Sequence, residues 1–182
     1  TSLDNYHFQI TASHGDSPTF KVKSNAELTG PGESQRLNVE VYGGPILNTW
    51  FDRPLGVAGR VALKSENPFE PRMVLYRSSQ PLMIIPNLAI HMNRDVNKGV
   101  EINNQVDLMP VVELLSGEKP QEEYFLNFLA EELGVEKTEI LDFELNTFCM
   151  EEPQYVGPKQ TLLSSPRLDN QTSVAALLSA IQ

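Results

Sequence analysis

The sequence predicts a mainly β domain with one clear helix, inserted between fragments of an α/β fold that supply a strand at the N-terminus and a helix at the C-terminus. Short runs of alternating apolar residues fill the middle of the chain, separated by turns rich in Gly, Pro and Asn. That is the pattern of antiparallel strands. Within that middle the period lengthens once to helical spacing, at Tyr124, Phe125, Phe128, Leu129 and Leu133. At each end a regular element adjoins a short polar motif, strand into loop over residues 6–18 and loop into helix over residues 164–182. The expected division therefore joins 1–18 with 164–182 and sets 19–163 apart as the β-rich insertion.

Residues 6–12 alternate, with Tyr6, Phe8 and Ile10 on one face and no partner in sequence for His7. Ser17-Pro18 interrupts the pattern, and 19–23 resumes it. Residues 25–35 are polar around Gly30-Pro31-Gly32 and read as a loop. A strand over 37–42 ends at Gly43-Gly44-Pro45, and 57–64, 72–76 and 81–85 are further strands. The helix over 121–133 has Pro120 as a first-turn residue and Gly134 as its C-cap. Residues 139–148 alternate as a strand, and 151–165 read as a loop. From Asn170 onward Val174, Leu177, Leu178 and Ile181 mark an amphipathic helix.

At 182 residues the chain can bury a real core. Its 40% hydrophobic and 21% charged content is that of a soluble globular protein. A net charge of −10 argues against a nucleic-acid partner, because phosphate binding needs a positive face. The apolar stretches at 82–88 and 174–181 are too short to span a bilayer, and no signal-peptide pattern opens the chain, so no membrane is expected. The single cysteine, Cys149, excludes an internal disulfide and fits a reducing compartment, which makes cytoplasmic the expected location. The start at Thr1 and the stop at Gln182, inside a helical pattern without a stop signal, lead us to expect part of a longer polypeptide.

Two polar motifs stand at the ends, Ser13-His14-Gly15-Asp16-Ser17-Pro18 and Ser165-Pro166-Arg167-Leu168-Asp169-Asn170. On an extended segment His14 and Asp16 project to one side, so the carboxylate can fix the imidazole's tautomer while the other ring nitrogen faces a metal. A loop histidine followed by an Asx or Ser-Pro turn fits the same tripeptide. Asp169, taken alone, reads as a helix N-cap. His91 is flanked by apolar residues and reads as a partly buried, satisfied histidine. Trp50-Phe51-Asp52-Arg53 reads as packing plus a local ion pair, and Glu131-Glu132 as a solvated helix face. Cys149 has no adjacent base or cation in sequence to activate it.

The set is more specific than its members. The two motifs, with Tyr42-Gly43-Gly44, Trp50-Phe51-Asp52-Arg53, Ala58-Gly59-Arg60-Val61 and Pro86-Asn87-Leu88-Ala89-Ile90-His91 between them in order, closely resemble the M18 family of metalloaminopeptidases. That family comprises the aspartyl aminopeptidase and vacuolar aminopeptidase I group, and the resemblance runs over nearly the whole chain. It implies an α/β catalytic domain with a two-metal site, interrupted by a β-rich dimerisation domain, with dimers building a tetrahedral dodecamer.

By position in the motifs, the resemblance implies that His14 is a metal ligand, Asp169 a carboxylate bridging both metals, and Asp16 the acidic catalytic residue that orients the site. The bond after Asp169 is typically cis in the family. His91 matches the histidine that the insertion carries into a neighbouring subunit's active site. The implied cofactors are two divalent ions, zinc with cobalt and manganese as alternatives, since such ligands suit all three. The implied activity is metal-assisted removal of the N-terminal residue from peptide substrates, with a glutamate as general base. The family's general-base glutamate and remaining ligands follow the Arg-Leu-Asp-Asn helix, beyond Gln182, and Gln171 stands where leucine is common. The chain alone is therefore expected to be inactive. The alternative from another class is a non-catalytic module that self-associates.

Overall fold

A computed structural model of the chain describes residues 7–182. It divides into two compact units, Pro18–Glu151 and a smaller one made of Thr1–Ser17 with Glu152–Gln182. Residues 152–163, grouped with the insertion above, fall in the smaller unit.

The larger unit is a six-stranded antiparallel sheet with one α-helix. In chain order its elements are β1 (Thr19–Gly30), β2 (Ser34–Tyr42), β3 (Leu55–Leu63), β4 (Arg72–Arg77), β5 (Val111–Leu114), α1 (Tyr124–Leu133) and β6 (Ile140–Cys149). The strands lie in the order β4-β3-β6-β1-β2-β5. Bridges Leu55↔Met83 and Ile84↔Val111 connect residues 83–84 to β3 on one side and to β5 on the other, so the sheet curls toward closure. The inward residues of each strand fill the curl: Phe20 and Val22, Leu37 and Val39, Val57, Val61 and Leu63, and Leu145, all nearly free of solvent. Those that share a strand are separated by even numbers of residues, two on β1 and β2, four and two on β3, as one face of a pleat requires. Phe125 and Leu129 of α1 join that core, and the Phe125 ring meets Phe143 of β6 at 5.5 Å between centroids.

Several expectations hold and several are corrected. The strands expected over 37–42, 57–64, 72–76 and 139–148 are β2, β3, β4 and β6. Residues 25–30, read as loop, belong to β1, which crosses a register shift between Val22 and Glu27 and turns at 31–33. A polar sequence runs here as strand because β2 supplies its backbone partners. Residues 81–85 give isolated bridges rather than a full strand. The helix begins at Tyr124, not at 121, because the Glu27 carboxylate on β1 accepts the Glu123 and Phe125 N–H groups at 2.8 and 3.0 Å. A carboxylate at that end satisfies donors the helix leaves free and meets its positive pole. Gly134 is the C-cap, left-handed at φ 64°, with its N–H on the Ala130 and Glu131 carbonyls.

The smaller unit contains a two-stranded hairpin, β7 (Gln154–Val156) with β8 (Leu162–Ser164), inside the segment read as a loop. It continues into α2 (Leu168–Ile181). The strand expected over 6–12 is absent from residues 7–12, and Tyr6 lies outside the described residues. Phe8 and Ile10 are 87% and 89% exposed, and among the described residues no strand pairs with them. Alternation fixes a face, not a partner. No described residue of this unit is buried.

Candidate functional site

The first motif lies outside any helix or strand and is largely exposed, as a loop presenting side chains requires. His14 Nδ1 lies 2.8 Å from Asp16 Oδ1 and 3.1 Å from the Asp16 carbonyl oxygen. The contact is the expected one between residues two apart. With Nδ1–H donated to Asp16, the Nε2 lone pair is left for another partner.

The second motif departs from a simple helix start. Asp169 and Asn170 have non-helical backbones, at φ −86°, ψ 111° and φ −121°, ψ 30°, and the bond joining them is cis. Asp169 is therefore no N-cap: the residue before the helix is Arg167, left-handed at φ 65°, and no side chain caps it. The Asp169 side chain is exposed. One turn further on, Thr172 Oγ1 donates to the Leu168 carbonyl at 3.0 Å, closing the irregular turn from the helix side.

One hydrogen bond ties the two motifs together across the sequence. Gln171 Nε2 donates to the Gly15 carbonyl at 2.9 Å. Gly15 lies between His14 and Asp16, and Gln171 lies two residues after Asp169, so the bond joins the backbone of the first motif to the segment that follows the second. Sequence reasoning noted Gln171 only as a departure from the family's leucine. Its amide is a donor that leucine lacks, which is the signal that could have found it.

His91 stands in the larger unit, on a turn where Met92 and Asn93 N–H donate to the Ala89 carbonyl at 2.8 and 3.2 Å. It is exposed, which corrects the expectation of a partly buried histidine. Leu88, Ile90 and Met92 around it are exposed as well, so they supply no apolar packing. Arg53 pairs with Glu151 at 2.7 Å rather than with its neighbour Asp52. Its guanidinium also lies 3.9 Å from Cys149 Sγ, a cation that the local sequence does not reveal. Asp52 instead accepts the Asn87 N–H at 2.9 Å. Glu132 is no bare helix face: it accepts the Tyr76 hydroxyl at 2.9 Å. Burial first, then that carboxylate, raises the Tyr76 phenol well above its ordinary value. Glu144 on β6 is held below the usual carboxylate range by its hydrogen bond to Arg60, then by the charges of Arg60 and Lys21.

The donor set fits a divalent metal in type and falls short in number. His14 offers an imidazole nitrogen and Asp169 a carboxylate, both suited to zinc. A catalytic zinc needs about three protein ligands. Among the described residues no three His, Cys, Asp or Glu side chains are grouped to hold an ion.

The larger unit is thus a curled antiparallel sheet with α1, and the smaller unit carries two polar motifs joined by Gln171. A family model described as aminopeptidase I zinc metalloprotease (M18) matches residues 4–182. The chain belongs to that family. It is 48% identical over 174 residues to the probable M18 family aminopeptidase 2 of Clostridium novyi (strain NT), a match covering 96% of this chain and 40% of that protein. Among solved structures, the cryo-EM structure of the Ape4 and Nbr1 complex matches with a TM-score of 0.77 and 31% identity over 87% of this chain and 33% of that one. The S. cerevisiae mApe1 dodecamer matches with a TM-score of 0.69 and 27% identity over 93% of this chain and 37% of that one. The chain thus spans about two fifths of the curated relatives' length. No helix among the described residues is long and apolar enough to cross a membrane.

Proposed function

We propose that this chain is the part of an M18-type aminopeptidase that supplies the first ligands of a two-metal site and the assembly domain around which the enzyme oligomerises. The observation that carries the reading is the Gln171–Gly15 hydrogen bond, which links the His14/Asp16 motif to the Asp169 motif over 156 residues of sequence. In this reading residues 1–18 and 164–182 belong to the α/β catalytic domain, and 19–163 form the insertion.

The roles follow from the donors. His14 Nε2 and the Asp169 carboxylate hold metal, while Asp16 keeps His14 in the tautomer whose Nδ1 is protonated and strengthens Nε2 as a donor. Two bound divalent ions, zinc or alternatively cobalt or manganese, supply Lewis-acid polarisation of a peptide carbonyl and a water of lowered pKa. The remaining ligands and the general-base glutamate come from chain that follows α2 in the family, so the 182 residues alone do not turn over peptides. The curled sheet serves self-association, supported by the dodecameric assembly of the mApe1 relative. His91, exposed at the crown of its turn, acts in the active site of a neighbouring subunit.

The test uses a full-length polypeptide carrying this chain, stripped of metal and reloaded with zinc, cobalt or manganese. Aminoacyl substrates are expected to be hydrolysed only after reloading. His14→Ala is expected to lose most of the bound metal by elemental analysis and to cost several orders of magnitude in kcat. A metal-replete enzyme inert toward a panel of N-terminal residues would sink the reading. The second reading, a non-catalytic assembly module, is favoured by the incomplete donor grouping. Zinc content, activity and assembly mass of the full-length polypeptide, beside zinc titration of the 182-residue chain, separate the two. Weak binding fits an unfinished catalytic site completed by further chain, whereas an inert, metal-free full-length protein that still oligomerises fits the module.

A further inference from the structure

We propose that Asp52 is the positioning residue for His91; the inference rests on the role given to His91 above. Asp52 follows Phe51, which bridges to Ile85, and adopts a left-handed conformation at φ 57°. Among L-residues aspartate and asparagine enter that region most readily. From there Asp52 grips the chain at two points: its N–H donates to the Ile85 carbonyl at 2.9 Å, and its Oδ1 accepts the Asn87 N–H at 2.9 Å. These two bonds flank Pro86, whose ring fixes φ and which has no N–H of its own to give. One residue therefore sets the direction in which the chain leaves the sheet.

The lever beyond this grip is short. Asn87 Oδ1 accepts the Leu88 N–H at 3.1 Å, and the Ala89 carbonyl then closes the turn that carries His91. The return of the same excursion is pinned separately. Ile84 and Val111 exchange backbone hydrogen bonds of 3.0 and 2.7 Å, and Leu108 and Met109 are buried. Loss of the Asp52 carboxylate thus frees the His91 limb while leaving the base of the loop closed. Asp52 is itself exposed, so its carboxylate has no part in the core, and the neighbouring Arg53 is committed to Glu151. The charge of this segment serves orientation, not burial.

The experiment measures kcat, KM, melting temperature and assembly mass of the full-length, metal-loaded enzyme. The variants are His91→Ala, Asp52→Gly, Asp52→Asn and the double variant His91→Ala with Asp52→Gly. Glycine keeps the left-handed conformation without strain and deletes only the acceptor. Asparagine keeps both the conformation and Oδ1. We expect Asp52→Gly to lower kcat by roughly ten- to a hundredfold at unchanged melting temperature and mass, the scale of a misplaced catalytic group. Asp52→Asn should restore most of that loss. The double variant should be no slower than His91→Ala alone, since residues acting as one unit are not additive. If His91→Ala slows the enzyme but the two losses multiply, or if Asp52→Gly runs at the wild-type rate, Asp52 does not act through His91 and this inference alone falls. If His91→Ala leaves kcat and KM unchanged, the inter-subunit role of His91 falls and takes this inference with it.

Discussion

In the larger unit the alternating apolar residues of β1, β2, β3 and β6 face one another across a hydrogen-bonded ladder, and eight of the strand residues named above as core are at or below 2% exposure. In the smaller unit Phe8 and Ile10 alternate in the same way and stay 87% and 89% exposed, and Leu178 and Ile181 of α2 remain 59% and 74% exposed. The residues are of the same kinds, and what differs is whether a second surface stands opposite them. A strand or an amphipathic helix gains little from its pattern until it buries that pattern against something. The larger unit contains its own partner surfaces. The smaller one carries the candidate metal donors on elements held by a few polar bonds, the Gln171–Gly15 bond among them.

The largest expected contrast comes from truncating one apolar side chain in each unit. Phe125→Ala should cost the larger unit about 3–5 kcal/mol, the loss typical of a fully buried ring. Leu178→Ala should change the stability of the 182-residue chain by about 0.5 kcal/mol or less, as surface substitutions do. Urea unfolding followed through Trp50, which packs on Phe20 at 4.5 Å between centroids, reads the larger unit directly. Similar losses from both substitutions would break the comparison.

A smaller effect is expected from adding one methyl group. A Cβ at Gly59 would collide with the backbone carbonyl of Glu144 on the adjoining β6, whereas one at Gly15 would meet nothing. Forcing β3 and β6 apart should cost about 1–3 kcal/mol in the denaturation curve of Gly59→Ala, and Gly15→Ala should fall within about 0.5 kcal/mol of wild type. A tolerated Gly59→Ala would mean that the ladder is looser than its register implies.

The smallest effect is a pH dependence confined to the larger unit. Burial, then the charges of Glu27 and Glu113, raise the Tyr124 phenol well above its ordinary value of 10.0. The unfolded chain therefore loses this proton at lower pH than the folded chain does. Below about pH 10 both states keep it and the contribution to stability is full. Above that, the unfolded state binds fewer protons and stability falls as pH rises, by at most about 1.4 kcal/mol per pH unit. Tyr124→Phe should flatten that decline in unfolding free energies measured between pH 9 and 11; a slope equal to that of wild type would mean that other groups govern it.

Much of the fold was legible because local pattern and final environment agree. β2, β3 and β6 alternate in sequence and are paired on both sides, and Gly134 terminates α1 where a left-handed cap is needed. The misses share one cause. Residues 25–30 look like loop in sequence but run as strand because β2 lies beside them, and the start of α1 is fixed by Glu27, nearly a hundred residues earlier. The site divides in the same way. The His14–Asp16 contact spans two residues and could be read from spacing. Asp52 holding Asn87, Arg53 turning to Glu151 and Gln171 reaching Gly15 join distant residues, and no local window contains both partners.

The sequence by itself determined the β-rich middle, the one clear helix within it, the family and the identity of the candidate donors, because periodicity and motif order are local properties of the chain. Only the tertiary structure decided which carboxylate meets the start of α1, which aspartate accepts the Asn87 N–H ahead of the His91 turn, and that Asp169 sits in an irregular turn and not at a helix cap. Those choices depend on which polar groups meet across the fold, and a polar group selects its partner by distance and direction, which the one-dimensional order of residues does not contain.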